Sequence, residues 1–186
     1  MRAIVSSEGH GRRDNVNVCL CRMVSCIAMY DCILVPTDGS REVERALEYA
    51  VEFARTHDAT IRALYVVNAA GYGGLPMETA LGGISDALHE EGRAAVGRIE
   101  ELAPAAVTVE TTVLEGAPSR VIIEEADSAE CDLIVMGTHG RGGIDRLLLG
   151  SVTERVVRRA SVPVLTVQVD PDDIDDRSEE PWLTAE

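Results

Sequence analysis

The chain contains no lysine: all seventeen of its basic residues are arginine, set against thirty-two aspartates and glutamates for a formal net charge of −15. Nucleic-acid binders need a basic face for phosphate contacts. A chain this acidic repels polyanions and anionic membranes at long range. Aromatics are scarce as well, at 3% of residues, so branched aliphatics and alanine have to fill any core. Long apolar runs are missing. The most hydrophobic segments, such as LIVM at 133–136, are far too short to span a bilayer. The N-terminus also lacks the basic-then-apolar order of a signal peptide, and the expected setting is the cytoplasm. Abundant acids without lysine suit a protein that stays soluble at high internal salt, where the Debye length shrinks to about 3 Å. Arginine in place of lysine has a plainer origin in GC-rich coding.

With 186 residues, 46% of them hydrophobic, one domain with a sizeable core is expected. Residues 1–28 stand apart: they hold no sustained period and carry four arginines against two acids. Cys19, Cys21 and Cys26 supply only three thiolates in a C-x-C-x4-C spacing, with His10 as a distant fourth group, whereas structural zinc takes four ligands at spacings such as C-x2-C. The segment reads as a disordered extension or as a start assigned too early, with Met29 the true initiator. After residue 169 come eight acids and one arginine, a solvated and disordered tail by composition. Trp182 and Leu183 are its only large apolar side chains besides Ile174. The domain is therefore expected at 29–169.

Within it the pattern alternates. CILVP at 32–36 is a strand buried on both faces. Asp38-Gly39-Ser40 turns the chain, Ser40 is a candidate N-cap, and apolar residues at helical spacing continue over 40–57. A strand at 61–67 precedes a glycine-rich loop at 68–75. A long helix seeded by Ile84, Leu88, Ala95, Ile99 and Leu102 follows, weakened near its start by Gly82-Gly83. Residues 107–114 alternate as in a half-exposed edge strand. A helix over 117–128 begins at a tolerated first-turn proline, Pro118. A second all-apolar strand covers 133–136, a fourth helix starts at Gly150-Ser151, and a fifth strand covers 164–169. Five strands alternating with four helices predict an open parallel α/β sheet with helices on both faces. Its two most apolar strands, at 32 and 133, belong at the centre. Their carboxyl ends form a ligand crevice if they are neighbours where the strand order reverses.

The segment after the second of these strands reads GTHGRGGIDRLLLGS, with Gly137, Gly140, Gly150 and Ser151 in a G-x2-G-x9-G-S spacing. Glycines let a backbone approach oxygen atoms that a Cβ would hold off, and N–H groups at a helix N-terminus favour phosphate. Arg141 can add a charge-assisted contact to a terminal phosphate. Each residue also has a structural reading. Glycines after a strand often only make a turn, Asp38 can simply cap the following helix, and His139 suits a loop residue bonded to backbone. Arg155, Arg158 and Arg159 suit a solvated helix face, and Cys32 and Cys131 suit small buried hydrophobes at strand edges.

With this glycine spacing, the VPTDGS turn at 35–40, GAPS at 116–119 and the closing VPVLTV strand, the chain resembles the universal stress protein family, and within it the ATP-binding branch. The resemblance covers about residues 30–169. It implies the strand order 3-2-1-4-5 and homodimers paired through the last strand, here from Val164 to Val169. It further implies an adenosine pocket lined by Pro36, Thr37 and Asp38, with Asp38 on the ribose or on Mg. Val66 would pack on adenine, Met136 and Gly137 would close the other side, and Gly140, Arg141, Gly150, Ser151 and Val152 would hold phosphates. The implied ligand is ATP, with AMP or ADP as substitutes.

Efficient phosphoryl transfer is not expected. The chain has no G-x4-G-K-[ST] loop, no lysine to reach the phosphates and no evident second carboxylate beside Asp38. A nucleotide-dependent regulatory dimer is the leading expectation. A slow ATPase or autophosphorylating enzyme, and a nucleotide-free scaffold, are the alternatives.

Overall fold

The computed structural model describes residues 29–40, 42–68, 81–138 and 149–168. The expected N-terminal extension, with Cys19, Cys21 and Cys26, lies outside the described residues, as do positions 69–75 of the glycine-rich loop, Val169 and the acidic tail.

Five strands and four helices alternate along the chain: β1 (Cys32–Thr37), α1 (Glu42–His57), β2 (Thr60–Val67), α2 (Leu81–Leu102), β3 (Val109–Glu115), α3 (Pro118–Ser128), β4 (Leu133–Gly137), α4 (Ser151–Arg159) and β5 (Val164–Val167). All strand pairings are parallel, and the order across the sheet is β3-β2-β1-β4-β5. The fold class and strand order are those expected. The boundaries moved slightly: β3 starts at Val109, because Val107 is buried but sits in the turn that leads into the strand.

The all-apolar strands lie at the centre for a simple reason. Every residue of β4, and all of β1 after Cys32, is buried, so only positions covered on both faces suit them. β3, on the outer edge, is half exposed over most of its length. The two-residue alternation of side chains divides the core. Ile33, Val35, Ile61, Ala63, Leu133 and Val135 join the cluster that contains α1 and α2 residues. Leu34, Leu64, Ile134 and Met136 join the cluster that contains Ile122, Ala126 and Val156 from α3 and α4. Fully buried side chains such as Leu34, Leu47, Ile61 and Ile134 each contribute roughly 1.5–3 kcal/mol. The right-handed crossover rule accounts for the pairing of helices: the chain steps outward from β1 to β2 to β3, then returns to β4 and steps outward again.

Helix α2 tolerates glycine because of this packing. A Cβ at Gly92 would stand 2.7 Å from the Tyr65 ring and 3.0 Å from Val113 Cγ1, so the helix lies closer to β2 and β3 than alanine would permit. Among the described residues no helix is long and apolar enough to cross a membrane.

Candidate functional site

The strand order reverses at β1, whose neighbours are β2 and β4. After β1 the chain leaves towards the α1 face, and after β4 towards the α4 face, so a gap opens between the two exits. A proline widens it. Asp31 offers its carbonyl to Thr60 at the start of β2, and Cys32 offers its own to Asp132 at the start of β4. In a parallel ladder, N–H and C=O of one residue face the same neighbour, so the even-numbered residues of β1 face β4. Pro36 therefore stands where the next donor towards β4 is due, and proline has none. Pairing of β1 with β4 ends at Leu34↔Ile134, whereas pairing with β2 runs on to Thr37↔Tyr65. The sheet is split at its carboxyl edge between the two central strands.

Beside the split lies a short apolar shelf. Val66 of β2 and Met136 of β4 belong to the cluster on the α3–α4 face. Pro36, two residues after Leu34, falls on that face by alternation. Pro36 and Met136 are buried and Val66 is half-buried. Three strands thus bring together three of the residues expected to meet a nucleoside.

The turn after β1 is tightly tied. The Gly39 N–H donates to Thr37 Oγ1 at 3.0 Å, and Gly39 has φ of +78°, in the left-handed region that favours glycine. Asp38 Oδ1 accepts from the Ser40 N–H at 3.0 Å and from the Ser40 hydroxyl at 2.6 Å. The expected cap at Ser40 thus takes a different form: its hydroxyl turns back to Asp38, and α1 is entered through the Ser40 carbonyl, which accepts from Val43 N–H at 3.4 Å. Asp38 is half-buried and organises the turn whatever else it meets.

The opposite wall is built from both ends of the glycine segment. Thr138 N–H donates to Val167 O at 2.9 Å, and Gly150 N–H donates to Thr138 O at 2.8 Å. Thr153, 4% exposed, donates its hydroxyl to Gly137 O at 3.0 Å. The end of β4 and the start of α4 are therefore pinned side by side. Helix α4 opens at Gly150 (φ −58°, ψ 148°) with no side-chain cap. The N–H groups of its first turn have no carbonyl one turn back to bond, and the helix dipole adds partial positive charge there. Ser151 is exposed and Val152 half-buried.

Gly140, Arg141 and His139 lie outside the described residues. Gly137, Gly150, Ser151 and Val152 lie together at the stem of their loop, and Pro36, Thr37 and Asp38 line the facing strand end and turn. On the far side of that turn, a cleft of about 270 Å³ between α1 and α2 is lined by Thr37, Gly39, Ser40, Glu44, Glu91 and Arg98, among others. Of the described residues expected to hold a nucleotide, only Thr37 faces it. Arg155, Arg158 and Arg159 are exposed, and Arg158 pairs with Glu154 at 3.0 Å, as a solvated helix face would. Among the described residues no three His, Cys, Asp or Glu side chains converge as a metal site.

Three features escaped sequence reading. Thr153 was not singled out, and a hydroxyl among valines was its only signal. Arg62 bridges Glu125 and Glu110, each at 2.6 Å, and the hydrogen bond to Glu125 foremost raises its pKa above the ordinary arginine value. Cys32 and Cys131, read separately as small hydrophobes, prove to be neighbours at the amino ends of β1 and β4.

The model of the universal stress protein family matches residues 29–168. Universal stress protein MJ0531 of Methanocaldococcus jannaschii is 43% identical over 141 residues, 75% of this chain and 83% of the relative. The solved structure of the MJ0577 protein, from the same organism, superposes with a TM-score of 0.69 at 29% identity, covering 76% of this chain and 98% of that one. A universal stress protein solved in complex with cAMP superposes with a TM-score of 0.60 at 28% identity, covering 76% and 99%. With the family model matching a stretch that spans the whole sheet, a relative 43% identical over that stretch and the fold superposing on solved members, the chain belongs to the universal stress protein family.

Proposed function

We propose that this protein is an adenine-nucleotide-binding regulator that holds ATP, or AMP or ADP in its place, between the carboxyl ends of β1 and β4. One observation carries the reading: an apolar shelf (Val66, Pro36, Met136) and an uncapped helix start (Gly150, Ser151, Val152) flank one split in the sheet. A flat apolar base and a polyanion attached to it need those two surfaces side by side. The relative solved with cAMP supports the same ligand class. In this reading Thr37 and Asp38 meet the ribose, Gly137 closes the nucleoside side, and Gly140 and Arg141 complete the phosphate cradle. Mg, if bound with the nucleotide, would sit on the Asp38 side and neutralise phosphate charge. In a chain of net charge −15, the local positive potential of α4 and Arg141 offsets long-range repulsion of the ligand.

The functional unit in this reading is residues 29–169, a cytoplasmic homodimer joined along the outer edge of β5. Among the described residues no other strand pairs with that edge, and an unpaired edge is a template for a second copy. Holding fits this site better than turnover, because Asp38 already spends one oxygen on Ser40. The experiment is to denature freshly purified protein and identify the released nucleotide by chromatography and mass, with calorimetric titration of ATP, AMP and ADP into the stripped protein. Adenine nucleotide near one per subunit is the expected result. A stripped protein that binds none of the three would overturn the proposal. Steady phosphate release in ATP and Mg that is lost in Asp38→Ala would replace it with the ATPase reading.

A further inference from the structure

Cys32 and Cys131 stand 99 residues apart in sequence, yet their Sγ atoms approach to 2.6 Å. Cys32 opens β1 and Cys131 lies just before β4, so the adjacency of the two central strands brings them together. Backbone bonds hold both partners in place. Asp132 N–H donates to Cys32 O at 2.8 Å, and Asp132 Oδ2 accepts from the N–H groups of Asp31 and Cys32 at 2.7 and 3.1 Å. Cys131 N–H donates to Ala126 O at 2.9 Å. Two sulfurs so placed need little movement to reach the about 2.05 Å of a covalent bond.

The two thiols are not equivalent. Cys32 is half-buried, whereas Cys131 is only 3% exposed. The hydrogen bond from Cys131 foremost, and then the Arg62 guanidinium, hold Cys32 below the ordinary thiol range against the opposing effect of burial. The same hydrogen bond, with burial, pushes Cys131 well above it. A more acidic thiol at the more accessible sulfur, beside a buried and less acidic partner, is the arrangement of an attacking and a resolving cysteine.

We propose that Cys32 and Cys131 are a peroxide-oxidisable dithiol, in which Cys32 reacts first and Cys131 closes a disulfide that staples β1 to β4. The Cys32 thiolate attacks one oxygen of hydrogen peroxide. An S–O bond forms as the O–O bond breaks, and the departing hydroxide takes a proton to become water. Cys131 sulfur then attacks the sulfenic sulfur of Cys32, forming S–S as S–O breaks, and the thiol proton leaves with the hydroxyl as a second water. Two thiols and one peroxide become one disulfide and two waters, the sulfurs giving up the two electrons that reduce the peroxide. This reading is independent of nucleotide binding, since the thiols lie at the opposite end of the strands.

The test uses the full chain carrying Cys19→Ser, Cys21→Ser and Cys26→Ser, so that two thiols remain. Hydrogen peroxide under native conditions should remove the mass of two hydrogens, reversibly by dithiothreitol, and peptide mapping should join Cys32 to Cys131. The loop closed is long, so the melting temperature should rise by roughly 5 to 15 °C. Adding Cys131→Ser should halt the reaction at a dimedone-reactive sulfenic acid on Cys32. Adding Cys32→Ser should leave Cys131 unmodified. Oxygen uptake on both thiols without a crosslink, dimedone capture on Cys131 instead of Cys32, or native protein inert to peroxide while urea-unfolded protein reacts would each overturn the proposal.

Discussion

Replacing Ser151 by proline removes its backbone N–H, together with the side-chain hydroxyl, from the proposed phosphate site and leaves the fold intact. Proline is favoured at the first helical position, where its missing N–H has no helical partner. It also demands an extended residue before it, and Gly150 already holds φ −58° and ψ 148°. Ser151 is exposed, so the ring meets no packed neighbour. The helix should therefore form as before, and a fitted proline adds about 0.4–1 kcal/mol of stability through the unfolded chain. A hydrogen bond to a charged group contributes about 1.5–3 kcal/mol, so losing the Ser151 N–H should weaken ATP roughly 10- to 150-fold. Adenosine, which has no phosphate, should bind unchanged. Calorimetry with both ligands reads the difference, and Ser151→Ala, which keeps the N–H, separates the backbone donor from the hydroxyl. Equal losses for ATP and adenosine, or an unchanged ATP affinity in a well-folded Ser151→Pro protein, would refute the assignment of phosphate to this helix start.

Gly140→Val should abolish ATP binding while circular dichroism and melting stay close to those of the parent, because a branched Cβ fills the space a phosphate would take; undiminished affinity would remove Gly140 from the site. Thr153→Val, nearly the same in shape, deletes the bond to Gly137 O and should cost about 1 kcal/mol, read as a fall of roughly 2–4 °C in melting temperature; no change would mean the tether contributes nothing. Along β5, Pro163 and Val167 direct their carbonyls to β4, so Thr166 directs its N–H outward. Thr166→Pro should leave the intrachain ladder whole and convert the proposed dimer to a monomer in sedimentation velocity; a dimer that persists in the variant would place the interface elsewhere.

The sheet was legible because each strand declares its position by how far its apolar run is interrupted. CILVP and LIVM read as all-apolar strands and lie at the centre, while the alternating β3 lies at the edge. The helices followed from three-to-four spacing, with Pro118 and Gly150-Ser151 marking the starts of the last two. Contacts across elements were not legible. Nothing in the spacing of Cys32 and Cys131 says they meet, since their proximity depends on β1 and β4 being neighbours and in register. Thr153 hid for a related reason: its partner is a main-chain carbonyl on another element. Pro36 was legible as a residue at a strand end. Its effect on the β1–β4 ladder needed the parity of the strand, which is set by the register of the neighbouring strands and not by its own residues. Around Ser40, the hydroxyl expected to accept a helix N–H donates to Asp38 instead, a partner two residues back that its cap signal did not reveal.

The bond between Gly150 N–H and Thr138 O sets how the segment between them can change. The residues on either side of it are also tied by Thr138 N–H to Val167 O and by the Thr153 hydroxyl to Gly137 O, so the frame at both ends is fixed. Doubling the length of such a loop adds only about 0.6 kcal/mol of closure entropy. A change of length between ends fixed in this way should therefore cost the sheet and α4 little. If the nucleotide sits where proposed, ligand preference can thus be rewritten within one short stretch, with the end of β4 and the start of α4 as a constant mount for it.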